Sequence, residues 1–302
     1  MLFQSPGPIF FKFGFITIRW YGLMIASGFL LALTAARKMA VKTGLDSEKF
    51  VSLALWAFLC GVLGARLYYV SLNLSHFIGS PGEILATWNG GLSIHGGIIG
   101  GAGAGYIYLK RQKLAAMKYL DLLACVTPLA QAVGRWGNFF NSEAFGLPVA
   151  DTFPLRLFIP PESRPMMYHN AKFFHPTFLY ESIYDLLIFV FLYFFAYRRL
   201  CKYPGLVVFV YISLYSLGRI VIEQIRIDSV AYYHGMPVPL LVSAGMLGAS
   251  LCAMMSIYKR GVLAEVEGVT AASSLPENKS QPGPTDANAG VAVQAEPETK
   301  NP

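Results

Sequence analysis

Long apolar runs alternate along the chain with short breaks that carry charge, glycine or proline. Runs near the length needed to cross a hydrocarbon core of roughly 30 Å recur at 16–36, 51–71, 91–109, 119–136, 178–197, 205–222 and 238–257. This pattern predicts an all-α fold, a polytopic membrane bundle of about seven transmembrane helices. Glycine, proline and charge inside several runs weaken them as separate insertion signals and leave six or eight open. The pattern stops near residue 260. Residues 261–302 turn to Ala, Pro, Glu, Ser, Asn and Gln, too polar to bury a core. A transmembrane domain over 1–260 is therefore expected to end in a disordered cytoplasmic tail.

Composition agrees with the pattern: of 302 residues 55% are hydrophobic and only 14% charged, with a mean hydropathy of +0.48, far more apolar than a soluble domain. Lys and Arg in the breaks set the orientation, because short cytoplasmic loops collect positive charge. Arg37, Lys38, Lys42 and Lys49 follow the first run; Lys110, Arg111, Lys113 and Lys118 the third; Arg198, Arg199 and Lys202 the fifth; Lys259 and Arg260 the seventh. The break at 72–90 has none. This places the N-terminus outside and the C-terminus in the cytoplasm, and it accounts for the net charge of +7. Cations beside spans meet anionic lipid headgroups, whereas a nucleic-acid partner would want them gathered on one soluble face, so no nucleic acid is expected. Residues 1–14 lack a basic stretch and a small-residue cleavage site, and the first span is expected to act as the insertion signal. Cys60, Cys125, Cys201 and Cys252 show no Cys-x-x-Cys spacing, which argues against a disulfide framework or a zinc site.

The fourth run ends in Gly134-Arg135-Trp136-Gly137-Asn138-Phe139-Phe140-Asn141-Ser142-Glu143-Ala144-Phe145-Gly146. Ionised groups in hydrocarbon cost several kcal/mol each, so an arginine, two asparagines and a glutamate at a span end mark a candidate site. Arg219, Glu223 and Arg226 lie along one helix face. They read either as a structural ion pair or, with more cation than anion, as a stripe suited to an anionic headgroup. Arg66, in Gly64-Ala65-Arg66, reads as snorkelling to the headgroups or as part of a site. His95 sits among the glycines of the third run, Ser93-Ile94-His95-Gly96-Gly97. Its ordinary pKa suits proton transfer, and a structural histidine is the alternative. Tyr21, in Arg19-Trp20-Tyr21-Gly22, and His175-Pro176-Thr177-Phe178-Leu179-Tyr180-Glu181 read respectively as an interfacial anchor and a helix start. By loop charge all these segments fall in the outer half of the membrane, and the long break at 139–174 is expected to form a small extracytoplasmic head.

The Gly134 to Gly146 stretch resembles the signature of bacterial prolipoprotein diacylglyceryl transferases. Arg19-Trp20-Tyr21-Gly22, Gly64-Ala65-Arg66, Ser93-x-His95-Gly96-Gly97, His175-Pro176-Thr177-x-Leu179-Tyr180-Glu181 and Gly218-Arg219-x-x-x-Glu223 resemble that family's other motifs in the same order. Phe178 stands where the family motif has glutamine and Ile94 where it has phenylalanine, and both departures leave the ionisable positions intact. The resemblance implies a multi-pass enzyme of the bacterial cytoplasmic membrane, with its active site towards the extracytoplasmic side; it does not reach the 261–302 tail, whose composition alone makes it expected to be dispensable for chemistry. Its implied partners are membrane lipids, namely phosphatidylglycerol as donor, and a prolipoprotein signal peptide whose lipobox cysteine is the acceptor. Neither metal nor organic cofactor is implied.

Such a reaction needs a thiolate, although free cysteine is mostly protonated at neutral pH, and it needs cations for the departing phosphate. The resemblance therefore implies His95 as base with Tyr21 assisting, and Arg135 and Arg219 on the phosphate, since arginine's planar fork pairs with phosphate oxygens. Asn138, Asn141 and Gly146 are expected at the headgroup, with Glu143 and Glu223 orienting the arginines. A transporter would predict repeated halves, which the chain lacks. Metal-dependent phosphoryl transfer would want clustered aspartates, whereas Asp121 and Asp185 stand apart.

Overall fold

The computed structural model describes residues 1–14, 16–84, 87, 90–227 and 232–273, with only the backbone given for 16 and 262–273. Helix dominates. After α1 (Trp20–Lys42) the chain turns into α2 (Ser47–Leu72), whose first turn is capped by Asp46 accepting from the backbone N–H of Glu48 and Lys49, both at 3.0 Å. A short α3 (Leu74–Gly79) leads to α4 (Ile94–Arg111), followed by α5 (Ala116–Asn141). Next, α6 (Thr177–Val190) passes through a π-helical stretch (Phe191–Ala196) into α7 (Tyr197–Leu200). The last two helices among the described residues are α8 (Leu206–Glu223) and α9 (Val238–Ser273). The backbone described for 261–273 is thus helical, while 274–302, the rest of the expected tail, lies outside the described residues.

Among the described residues, five helices are long and apolar enough to cross a membrane: Trp20–Lys42, Ser47–Leu72, Thr177–Leu200, Leu206–Glu223 and Val238–Gly261. The third and fourth apolar runs form helices too, but glycine and terminal charge dilute α4, while Asp121, Gln131, Arg135, Asn138 and Asn141 dilute α5. Leu30, Leu59, Ile98, Ile99, Leu187, Phe194 and Val221 stand exposed on helix surfaces, as the lipid-facing side of a multi-pass membrane protein requires. The core lies between α1, α2, α5, the α6–α7 helix and the start of α8, around Ala36, Phe50, Leu122, Cys125, Leu192 and Val207.

Short strands depart from the all-α expectation. Extended chain at a helix end needs partners for its N–H and C=O groups, and three sets of strands among the described residues supply them. β1 (Leu2–Gln4) runs parallel to β4 (Arg156–Phe158), which pairs antiparallel with β5 (Phe173–Phe174). A second core of Phe139, Phe145, Leu157, Ile159, Phe174 and Phe178 closes beneath this sheet, joining it to the ends of α5 and α6. β2 (Ile9–Phe13) and β3 (Ile16–Arg19) form a hairpin that feeds α1, and β6 (Tyr232–Tyr233) pairs with β7 (Met236–Pro237) before α9.

Glycine sets the helix spacing. A Cβ on Gly96 would lie 2.3 Å from the Gly64 carbonyl oxygen and 2.4 Å from Tyr68 Cβ, and one on Gly100 would lie 2.4 Å from the Cys60 oxygen. The small-residue stripe of α4 is therefore consumed in backbone contact with α2. Because α4 packs on α2 and α5 on α1, the two diverge from the turn at 112–115. Between them opens a cleft of about 820 Å³, lined by Phe50, Leu53, Gly105, Leu109 and Leu120 among others. Asp121 is structural: buried in α5, it accepts from the N–H groups of Gly205 (2.7 Å) and Val208 (3.0 Å) and so caps α8. Gly96→Ala should force α2 and α4 apart and destabilise the protein by about 1–3 kcal/mol, read as a lower Tm in detergent. Gly103→Ala, where a Cβ meets nothing within 4 Å, should leave the Tm unchanged or higher.

Candidate active site

Where α5 ends, the chain doubles back on itself. Ser142 and Ala144 adopt left-handed backbone angles, φ 53° and 55°, and the Glu143 N–H returns to the Asn138 carbonyl at 3.1 Å. That fold brings the Glu143 carboxylate over the helix end, where Oε1 accepts from Asn138 Nδ2 (2.8 Å) and Asn141 Nδ2 (3.3 Å). Beyond it, Gly146 donates to the His175 carbonyl at 3.0 Å and Leu147 to the Ile225 carbonyl at 2.8 Å. A Cβ on Gly146 would lie 2.9 Å from each of His175 Cβ, Ile225 O and Thr177 Cγ2, so only glycine fits. The Thr177 hydroxyl donates to the Ala144 carbonyl, which ties the first turn of α6 to the same loop. Beside it, the half-buried His175 places Nδ1 3.2 Å from the Tyr180 hydroxyl, and burial holds its imidazole below the ordinary value, hence neutral at pH 7.

One turn into α6, Glu181 collects three guanidiniums. Arg219 Nη1 lies 2.7 Å from its Oε1, Arg226 Nη1 3.5 Å from the same oxygen, and Arg135 Nη1 3.0 Å from Oε2. Arg219 Nη2 also meets Glu223 Oε2 at 2.6 Å, and Arg135 Nε approaches Asp185 Oδ2 at 3.5 Å. The Arg135 contacts are charge contacts without the alignment of a hydrogen bond. Glu181 is 4% exposed, whereas the three arginine side chains keep 15–19% of their surface, so carboxylates sit behind and guanidiniums in front. Glycine again makes the approach possible: a Cβ on Gly218 would fall 2.1 Å from Tyr184 Cε1.

Several expected site residues meet here. Arg135 and Arg219, on different helices, share one carboxylate, and Arg219 and Glu223 form the four-residue pair. Tyr21 packs on Gly137, where a Cβ would lie 2.7 Å from its Cδ2, and lies within electrostatic reach of Glu143 and Arg135. Other expected residues lie elsewhere or take other partners. Glu143 serves Asn138 and Asn141, while Glu181 and Asp185 hold Arg135. Gly146 lies tight against His175, Thr177 and Ile225. The stripe of Arg219, Glu223 and Arg226 carries more cation than anion, and Glu181 and Asp185 of α6 balance it together with Arg135. His95, second residue of α4, is exposed, with its ring 6.2 Å from that of Tyr68; among the described residues it makes no contact with the arginines. Glu181 and Asp185 were missed as site residues, although their four-residue spacing already put two carboxylates on one helix face.

Residues 8–256 match the family model described as prolipoprotein diacylglyceryl transferase. The chain belongs to that family of transferases. A phosphatidylglycerol--prolipoprotein diacylglyceryl transferase of Thermotoga petrophila is 47% identical over 223 residues, covering 72% of this chain and 74% of the relative. One of the same name from Trichormus variabilis is 43% identical over 232 residues, 76% of this chain and 82% of the relative. A third, from Synechococcus sp. (strain CC9902), is 38% identical over 270 residues, 86% and 96% of the two chains.

Arg66 takes neither of the two roles read from this transferase's sequence. Only 4% exposed, it donates from Nε to the Ile84 carbonyl (2.8 Å), from Nη1 to Gly90 (2.6 Å) and Gly91 (2.9 Å), and from Nη2 to Glu83 (2.6 Å). The Ser93 N–H meanwhile donates to the Ala65 carbonyl at 3.0 Å. Arg66 thus holds the approach to α4, and with it the position of His95. Arg66→Ala should leave these carbonyls unsatisfied at about 1–3 kcal/mol each and expose the connection between α3 and α4 to limited proteolysis. Arg66→Lys should fail to restore protection, because an ammonium cannot reproduce the planar fork.

Proposed function

We propose that this chain transfers the diacylglyceryl group of phosphatidylglycerol to the thiol of a prolipoprotein lipobox cysteine, the first step of bacterial lipoprotein maturation. Sulfur attacks an sp3 glycerol carbon and a C–S thioether bond forms. The C–O bond to phosphate breaks, its electron pair leaves with glycerol phosphate, and the thiol proton passes to a base. The observation that carries this reading is the meeting of Arg135 and Arg219 on Glu181, two partly exposed guanidiniums backed by buried carboxylates. The names of the relatives support it.

In this reading Arg135 and Arg219 grip the phosphate with the N–H groups turned away from the carboxylates, since each guanidinium carries five donors. Glu143 fixes one amide N–H each of Asn138 and Asn141 and leaves their second N–H to the headgroup. Glu223 orients Arg219, Gly146 shapes the floor, Tyr21 lines the rim, and His95 approaches as base once the acceptor peptide is bound. Seven spans with the N-terminus outside would set this cluster at the extracytoplasmic leaflet of the bacterial cytoplasmic membrane, with 139–174 as the exterior head and the residues after 260 dispensable. Lipid reaches it sideways between helices.

Incubating the purified protein with phosphatidylglycerol and a lipobox peptide should add one diacylglyceryl mass to the peptide, and a Cys→Ser peptide should gain nothing. Arg135→Lys keeps a charge beside Glu181 but loses the fork, and its rate should fall on the order of 10² to 10³ with little change in Tm; full activity rejects the assignment. His95→Asn should lose activity across pH 6 to 9. Retention of most activity would instead assign thiolate formation to the arginines.

A further inference from the structure

We propose that Glu181 is the positioning residue of this reaction: its buried carboxylate is the shared counter-charge that gathers Arg135, Arg219 and Arg226 into one phosphate cradle. The inference rests on the proposed diacylglyceryl transfer. Arg135 belongs to α5 and Arg219 to α8, while Arg226 lies three residues past α8. Without a common anion, three guanidiniums at one point repel one another. Glu181 meets all three within 3.5 Å from the first turns of α6. Asp185 approaches Arg135 and Glu223 meets Arg219, and Glu181 meets both of those arginines and Arg226, so it sets the distance between them.

Its depth suits that task. At 4% exposure the carboxylate stands behind guanidiniums that keep 15–19% of their side-chain surface, so it acts on the substrate through the arginines. Charge develops on the phosphate as the C–O bond breaks, and donors aimed at that charge matter most in the transition state. An error of an ångström in such donors costs on the order of 10²-fold. The consequence falls mainly on kcat, with a smaller change in KM for phosphatidylglycerol.

The test compares Glu181→Gln, Glu181→Asp and Asp185→Asn in the full chain, in nanodiscs of defined phosphatidylglycerol content, with a lipobox peptide as acceptor. Thermal midpoints are read beside kcat and KM. Glu181→Gln should lower kcat on the order of 10²-fold. Glu181→Asp keeps the charge but withdraws it by one methylene, and should remain folded and recover part of that loss. Asp185→Asn, which removes a charge 3.5 Å from Arg135 and leaves the Glu181 contacts in place, should cost less than Glu181→Gln. A kcat within about twofold of wild type in both folded Glu181 variants would overturn the positioning role and leave diacylglyceryl transfer standing. Loss of folded protein in both would make the carboxylate purely structural and equally overturn it. Absence of any mass gain with the wild-type protein would instead overturn the transfer reading, and the positioning role with it.

Discussion

Burying an ion costs several kcal/mol unless opposite charge and hydrogen bonds replace the water it loses, and the end of this bundle that carries Arg135 and Arg219 is organised around that constraint. Glu181 is buried to 4% exposure, with Arg135, Arg219 and Arg226 around it. For those contacts to exist, α5, α6 and α8 must approach closely at one level. Gly218 lets α8 reach Tyr184 on α6, Gly137 admits Tyr21 against α5, and Gly146 lets the loop after α5 slip between His175, Thr177 and Ile225. The charged cluster and the glycines are thus one device, since a methyl group at any of these positions would displace an element that carries a charged partner.

The two ends of the bundle are built differently. Near the basic breaks the interior is apolar, around Ala36, Phe50, Leu122, Cys125, Leu192 and Val207; Asp121 is a polar exception there, saturated by backbone N–H groups. At the other end polar groups concentrate, and the Phe139, Phe145, Phe174 and Phe178 cluster roofed by β1, β4 and β5 fixes the loop that carries Glu143. An apolar anchor below and an aromatic clasp beside it allow the arginines to be held rigidly. Rigid donors lose little energy to reorganisation when charge appears on a bound group.

Legibility in the sequence followed the range of each interaction. The Arg219–Glu223 pair could be read because a helix places residues four apart side by side, and the pair is present at 2.6 Å. Arg135, the asparagines and the glycines of 134–146 stood out because polar groups in an apolar run demand partners. The partner of Arg135 was another matter. Glu181 lies 38 residues from Arg219 and on a different helix from Arg135, and no local spacing connects them. Glu143 was expected to orient an arginine, yet the left-handed turn at Ser142 and Ala144 folds it onto the asparagines. Arg66 reads as a cation bound for the headgroups until the carbonyls of Glu83, Ile84, Gly90 and Gly91 are seen to converge on it.

The sequence by itself determined that the chain is built of membrane-length apolar helices, that its functional polar groups are concentrated in a few glycine-bearing motifs, and that those motifs resemble one transferase family. Hydropathy and helical spacing are local properties, summed over neighbouring residues, and they survive without knowledge of the fold. Which carboxylate meets which guanidinium, which glycines are obligatory and where the short strands pair were decided by the tertiary structure. Ion pairing and backbone contact act over a few ångströms between segments far apart in the chain, and only packing brings those segments together.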